Sequence, residues 1–331
     1  MKCLFVCHFF INAIVLNSFL CLGSSPIPPG PVVLKDFERY TNQIEEKNLA
    51  LWLEHFVARP HPFGSQAQDN WIKDVVHTFK SWGISSEVQV FHAKVPRRDV
   101  NHLQQVVTGR NLLFKIPGKG SCWGVLGGHF DTKQLMGKQL PSANDGGSST
   151  ALLLELVRVL HQENQAGLPC TLWVVLFDGE ESVLDPWELG QRLHGARDNL
   201  YGSRHFVHSL KEGAVLPQWS LVVDMVGHKK QKLSLTGGSW PPLTERLLAL
   251  ASKHEVDVTH APHLTMEDDH TPFAQASIPF VHMIDWTNTR EWHTPQDTLA
   301  IISTSKIKKL GGLILELVKN LPLGTTPAKG P

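Results

Sequence analysis

Residues 170–181 read CTLWVVLFDGEE, and this stretch decides the fold. Leu172 to Phe177 are apolar without a break, so the strand lacks the alternation of one with a wet face and must be covered on both sides. Asp178, Glu180 and Glu181 follow immediately. The same plan recurs in CWGVLGGHFD (122–131), SLVVDMVG (220–227) and IPFVHMIDW (278–286). Two further strands are expected upstream, EVQVFHAKV (87–95) and QQVVTGRNLLFKI (104–116). Between and after them lie segments of helical period: 148–163, 200–212, 241–255 and 305–321. Amphipathic helices over 35–58 and 67–82, split by ARPHPFGS, precede the strands. Strands alternating with helices predict an α/β protein, a single α/β/α sandwich around a mixed, mostly parallel central sheet. No repeat or linker-like shift in composition divides residues 35–322.

Composition narrows the function. Of 331 residues, 31 are Lys or Arg and 31 Asp or Glu, so the formal net charge is zero. That balance argues against a nucleic-acid binder or a polybasic membrane adsorber, both of which need excess cations. The 18 histidines are the conspicuous surplus, and neutral His is both a common metal ligand and a general acid or base.

The N-terminus reads as an address. Lys2 precedes an apolar run from Cys3 to Gly23, followed by the Pro-rich leader of residues 24–34. This is the pattern of a secretory signal peptide over residues 1–23; the rival reading is an uncleaved signal anchor in the Golgi membrane. Two Asn and one His inside the run favour cleavage and secretion. Residues 323–331 are expected to be a flexible tail. Cys122 and Cys170 are the two cysteines outside the signal segment, each at the start of an apolar run. A disulfide between them and a pair of half-buried thiols are both open.

The polar residues gather where the apolar runs finish. His129 and Asp131 end one run, Glu180 and Glu181 another, Asp224 a third, and Trp292-His293 follows a fourth. Asp145 sits in SANDGGSS, directly before an apolar helix. Sites in open α/β sheets form at the carboxyl ends of strands. Any one of these residues has an ordinary alternative: Asp145 as a helix cap, Glu180-Glu181 as a solvated corner. Five such segments at one sheet edge instead suit zinc, which takes His nitrogen and carboxylate oxygen and keeps a position open for catalysis.

In order, PHPFGS, GGHFD, SANDGGSSTALLLEL, LFDGEE, LYGSRHF, DMVG, EDDHTPF, IPFVHMID and WHTPQDT resemble the zinc exopeptidase superfamily. That superfamily includes secreted aminopeptidases and glutaminyl-peptide cyclotransferases, and the resemblance covers roughly residues 40–320. An insertion carrying Trp187 before LYGSRH, the EDDH segment and Trp292 look like the cyclotransferase branch. Asn144-Asp145-Gly146-Gly147 departs from the animal cyclases and is closer to the aminopeptidases and bacterial-type cyclases.

The cyclase resemblance implies Asp145, Glu181 and His293 as ligands of one Zn2+, with Glu180 as general acid/base. Asp224 and Asp268 would complete an acidic network, and Trp187, Trp292 and His270 would line the substrate pocket. The reaction would convert an N-terminal glutamine to pyroglutamate with release of ammonia. The aminopeptidase resemblance implies two zincs: Asp145 bridges them, His129 and Asp224 bind the first, and Glu181 and His293 the second. A third reading is an inactive binding ectodomain. The expected partners are N-terminal segments of peptides or proteins, without nucleic acid or stable membrane association once the signal is cleaved, and the expected state is a monomer.

Overall fold

The computed structural model describes residues 37–98, 103–163, 167–185, 197–210 and 215–321. The signal segment, the leader, the tail 323–331 and Trp187 lie outside the described residues. Helices α1 (Phe37–Gln43), α2 (Glu46–Val57) and α3 (Gln66–Ser81) open the fold. The one helix expected over 35–58 is therefore two. Glu45 between them is extended, with φ −97° and ψ 115°, and its backbone N–H donates to Glu155 Oε1 at 2.8 Å instead of continuing a helix. The Ser65 side chain accepts from the Gln68 N–H and starts α3.

Eight strands follow: β1 (Glu87–Pro96), β2 (Gln104–Ile116), β3 (Trp123–His129), β4 (Thr171–Phe177), β5 (Trp219–Asp224), β6 (Leu233–Thr236), β7 (Val258–Ala261) and β8 (Phe280–Ile284). Their helices are α4 (Gly147–Gln162), α5 (Tyr201–Leu210), α6 (Pro241–His254), α7 (Thr271–Gln275) and α8 (Thr304–Lys319). The strand order is β1-β2-β4-β3-β5-β8-β6-β7. β4, β3, β5 and β8 run parallel at the centre, β1 and β2 are antiparallel on one side, and β6 is antiparallel to β8 and parallel to β7. Mixed and mostly parallel is thus the observed sheet.

Alternate residues of each central strand face opposite layers. Leu172, Val174 and Leu176 join Leu126, Leu221 and Val223 in a cluster with Leu49, Phe56, Leu153, Leu156 and Leu313 from the helices. Val175, Phe177, Val125 and Val222 face the other way, onto Phe206, Val207 and Phe273. Both faces are dry, as the unbroken apolar run demanded. Gly128 lets the first turn of α4 approach β3: a Cβ there would lie 2.6 Å from the Val223 carbonyl oxygen and 3.3 Å from Ser149 Cβ.

At the amino ends of β3 and β4, Trp123 pairs with Thr171. The preceding residues, Cys122 and Cys170, form a disulfide with Cα atoms 4.8 Å apart. The open choice between bond and free thiols is settled by the parallel register. No helix among the described residues is long and apolar enough to cross a membrane.

Candidate metal centre and active site

Because β4, β3 and β5 are neighbours running the same way, their carboxyl ends deliver side chains together. His129 ends β3 and Asp224 ends β5. Glu180 and Glu181 follow β4 after Gly179, whose φ of +67° turns the chain. Asp145 enters from the turn before α4, and His293 from the loop after β8. Asp145 does not cap α4: Gly146 is the N-cap residue and no side chain bonds there.

Two donor sets meet on Asp145. His129 Nε2 lies 3.2 Å from Asp145 Oδ1 and 3.2 Å from Asp224 Oδ1. His293 Nε2 lies 2.9 Å from Glu181 Oε1 and 3.4 Å from Asp145 Oδ2. A tetrahedral zinc about 2.0–2.1 Å from each ligand sets its donors roughly 3.4 Å apart, so both sets fit a small cation. Asp145 Oδ2 and Glu181 Oε2 are buried and have no hydrogen-bond partner among the described residues. His293 Nε2 at 3.4 Å and Lys133 Nζ at 3.5 Å are near them without bonding, and buried carboxylate oxygens that accept no hydrogen bond are costly, a cost that a bound cation would relieve. The residues therefore fit a metal: Asp145, Glu181 and His293 form one capable group, and His129, Asp145 and Asp224 another.

The surroundings hold these side chains in place. Asp131 accepts the N–H of Glu180 at 3.0 Å and of Glu181 at 3.2 Å. The ammonium of buried Lys133 donates to the Ser182 carbonyl at 2.9 Å and lies 3.5 Å from Glu181 Oε2. Asp297 accepts from the N–H groups of Asn144 and Asp145 at 2.8 and 3.1 Å. The sequence reading missed Lys133 and Asp297. Lys133 carries no signal beyond following GGHFD, and Asp297 none beyond its place in WHTPQDT.

Crowded burial separates the titrations. Burial pushes the Glu180 carboxyl well above its ordinary value; His129 opposes this, while Glu181, Asp268 and Asp269 reinforce it. Burial also acts on Asp145, but the histidines on either side outweigh it and hold that carboxyl well below the usual range. Asp224 is raised to about 6, by burial first, against the pull of His129. His293 is raised to about 10, because Glu181 and Asp145 outweigh its burial.

Behind the cup, Asp268 Oδ2 lies 3.0 Å from His282 Nε2, and the His282 ring stacks on His270 with centroids 4.1 Å apart. Asp268 acts electrostatically on both Glu180 and Asp224. His270 is buried and stacked between His282 and Phe280. Trp292 stacks on the His293 ring at 3.9 Å, and Trp286 meets Trp292 edge-on at 5.2 Å. The structure thus brings together Asp145, Glu181, His293, His129, Asp224 and Glu180, with Asp268 and Trp292 beside them. Trp187 lies outside the described residues.

Residues 111–318 match the model of peptidase family M28. The chain belongs to peptidase family M28. This M28 chain is 23% identical over 280 residues to a glutaminyl-peptide cyclotransferase of Drosophila melanogaster, covering 77% of this chain and 75% of that one. It spans about half the length, 54%, of other curated relatives it matches. Among solved structures, an Acidobacteriales bacterium glutaminyl cyclase has a TM-score of 0.69 and 28% identity, covering 89% of this chain and 98% of that one. A leucine aminopeptidase precursor from Bacteroides thetaiotaomicron has the same TM-score of 0.69 at 18% identity, covering 85% of this chain and 98% of that one, and so shares the fold alone. The M28 fold accordingly does not choose the reaction.

Proposed function

We propose that this M28 chain is a zinc-dependent glutaminyl-peptide cyclotransferase that converts N-terminal glutamine of peptides or proteins to pyroglutamate. The observation that carries the choice is the run of cyclotransferase relatives, one over 77% of the chain and one solved structure at 28% identity. The donor set Asp145, Glu181 and His293 would hold the zinc, whose two carboxylates and imidazole leave a coordination position open. Zinc there would polarise the side-chain amide carbonyl of the substrate glutamine.

The chain's own groups then move the protons. The α-amine nitrogen of the substrate forms a bond to the side-chain amide carbon. Glu180 takes a proton from that nitrogen and passes it to the departing amide nitrogen, so that the carbon–nitrogen bond breaks and ammonia leaves. Its burial and its acidic neighbours favour a carboxyl able to hold a proton near neutral pH. Asp268, held by His282, would receive the N–H of the leaving amide. Trp292, packed on His293, keeps water from the reacting carbon and so favours ring closure over hydrolysis.

A second reading draws on the other donor set. His129, Asp145 and Asp224 are also spaced for a metal, and Asp145 offers one oxygen to each set. This is the arrangement expected of a two-metal aminopeptidase, with Glu180 activating water. Incubation with Gln-initiated and Leu-initiated peptides separates the two: ammonia and a pyroglutamyl product support the cyclotransferase, whereas free leucine without pyroglutamate overturns it. We also infer a secretory-route location, supported by the Cys122–Cys170 disulfide, since such bonds persist in oxidising compartments. Reporter export directed by residues 1–34 tests this inference, and cytosolic retention refutes it.

A further inference from the structure

Asp297 sits in no donor set, yet it joins two of the residues that do. Three consecutive amides converge on it. Its backbone carbonyl accepts from the Ala143 N–H at 3.2 Å, Oδ1 from Asn144 at 2.8 Å and Oδ2 from Asp145 at 3.1 Å. Left-handed residues flank this stretch, Ser142 with φ 53° and Gly146 with φ 78°. Successive N–H groups in such a turn form a concavity for an acceptor, and here the acceptor for the last two is the Asp297 carboxyl, only 2% exposed.

The other end of the connection is His293. It lies four residues before Asp297 in a tight loop closed by Thr294 N–H to Glu291 O at 3.1 Å and Asp297 N–H to Thr294 O at 3.2 Å. His293 itself has φ 54°. A non-glycine residue in that region is strained and persists only where its surroundings hold it. Asp297 is what docks this loop onto the turn bearing Asp145, and the His293 imidazole then stands 3.4 Å from Asp145 Oδ2. The same device recurs under the third ligand: Asp131 spans the consecutive amides of Glu180 and Glu181. A chance cap would explain one such carboxylate, but not one beneath both the Asp145 turn and the Glu181 turn.

We propose that Asp297 is a positioning residue for metal binding: by gathering the amides of 143–145 it fixes the separation of Asp145 and His293, so that the two ligands stand at metal-binding distance before metal arrives. This rests on the reading that Asp145, Glu181 and His293 hold zinc. Losing a hydrogen-bonding partner of a ligand typically weakens metal affinity about 10–100-fold.

The test is Zn2+ affinity by chelator competition, read together with the visible spectrum of the Co2+-substituted protein, for native protein, Asp297→Asn and Asp297→Glu. The Asn variant places an amide N–H2 against a backbone N–H; the Glu variant keeps the carboxyl but displaces its oxygens by one methylene. Both are expected to bind zinc at least tenfold more weakly and to shift the Co2+ spectrum, and Asp297→Glu alone suffices if Asp297→Asn does not fold. Glu155→Gln, at a fully buried carboxylate on α4 that accepts the Glu45 N–H, controls for general loss of stability and should leave both readouts unchanged. Affinity within twofold of native in the variants, or an equal loss in Glu155→Gln, overturns the proposal. Failure of the native protein to bind zinc would instead sink the zinc reading beneath it.

Discussion

On the proposed function, replacing Glu180 by Gln removes the proton carrier and leaves almost everything else in place. Glu180 is 6% exposed, and burial together with Glu181, Asp268 and Asp269 already favours its neutral form. An amide of the same shape therefore adds no desolvation cost and relieves some acidic repulsion, so stability should hold or rise slightly. The metal ligands are untouched, since Asp131 grips the amide N–H of residue 180 and not its side chain. Positioned general acid–base catalysis is worth about 10²–10⁴ in rate, or roughly 3–5 kcal/mol of barrier. A single carboxyl that both accepts and returns the proton places the expected loss in the upper half of that range. Ammonia release from a Gln-initiated peptide, with product mass, measures the loss; metal content and denaturation midpoint show that the variant is otherwise intact. Activity within threefold of native would refute the proton-carrier role. An equal fall in metal content would assign Glu180 to the ligands instead.

Three further outcomes follow from the geometry. Gly146→Ala forces a left-handed alanine, costing about 1–2 kcal/mol, and brings a methyl 2.9 Å from His129 Cε1, so both denaturation midpoint and activity should fall. Unchanged activity would show that His129 tolerates displacement. Cys122→Ser with Cys170→Ser opens a loop spanning 48 residues and should cost about 4 kcal/mol in the chain-entropy picture. Turnover at low temperature should survive, because the bond lies at the strand ends opposite the cup; lost turnover in a folded double variant would contradict that separation. Burial lowers His61 to about 4 against the upward pull of the Arg59 carbonyl. Folding thus disfavours its protonated form: its contribution is complete above about pH 6.5 and is lost as pH falls toward 4, in total about 3 kcal/mol. Urea midpoints from pH 7.5 to 4 should show a decline that His61→Phe flattens, and identical profiles would refute it.

The centre of the fold was legible because its strands are buried on both faces. Leu172–Phe177 and Leu221–Val223 announce themselves as apolar runs, and each ends in the carboxylates that the site uses. β6 and β7, at four residues each, are too short to show a period, and they passed unread at the edge of the sheet. Sheet order was also silent in the sequence, and with it the disulfide: only the β3–β4 register brings Cys122 beside Cys170. Among site residues, those that would touch metal lie at strand ends or in the SANDGGSS turn and the WHTPQDT loop, and could be found. Asp297 and Lys133 work through backbone groups far away in sequence, at separations of 153 and 49 residues, which no local pattern encodes.

Carboxyls packed this closely must differ in protonation if the cup is to hold a cation and also carry a proton. Asp145 stands between His129 and His293, whose attraction keeps it anionic, as would suit a ligand shared by both donor sets. Glu180 faces other carboxyls and is pushed toward its neutral form. Environments that drive neighbouring titratable groups apart mark which is the permanent charge and which moves the proton. Binding a cation at Asp145, Glu181 and His293 would draw Glu180 back down, toward the range in which one carboxyl both accepts and donates near neutral pH. The surplus acidity of the β4 corner is therefore a tuning device for Glu180. On this reasoning, Glu181→Gln should alter the pH profile of any residual activity as well as weaken the metal, because it removes a negative neighbour and a ligand in one step. A profile that scales down without changing shape would separate the two carboxylates.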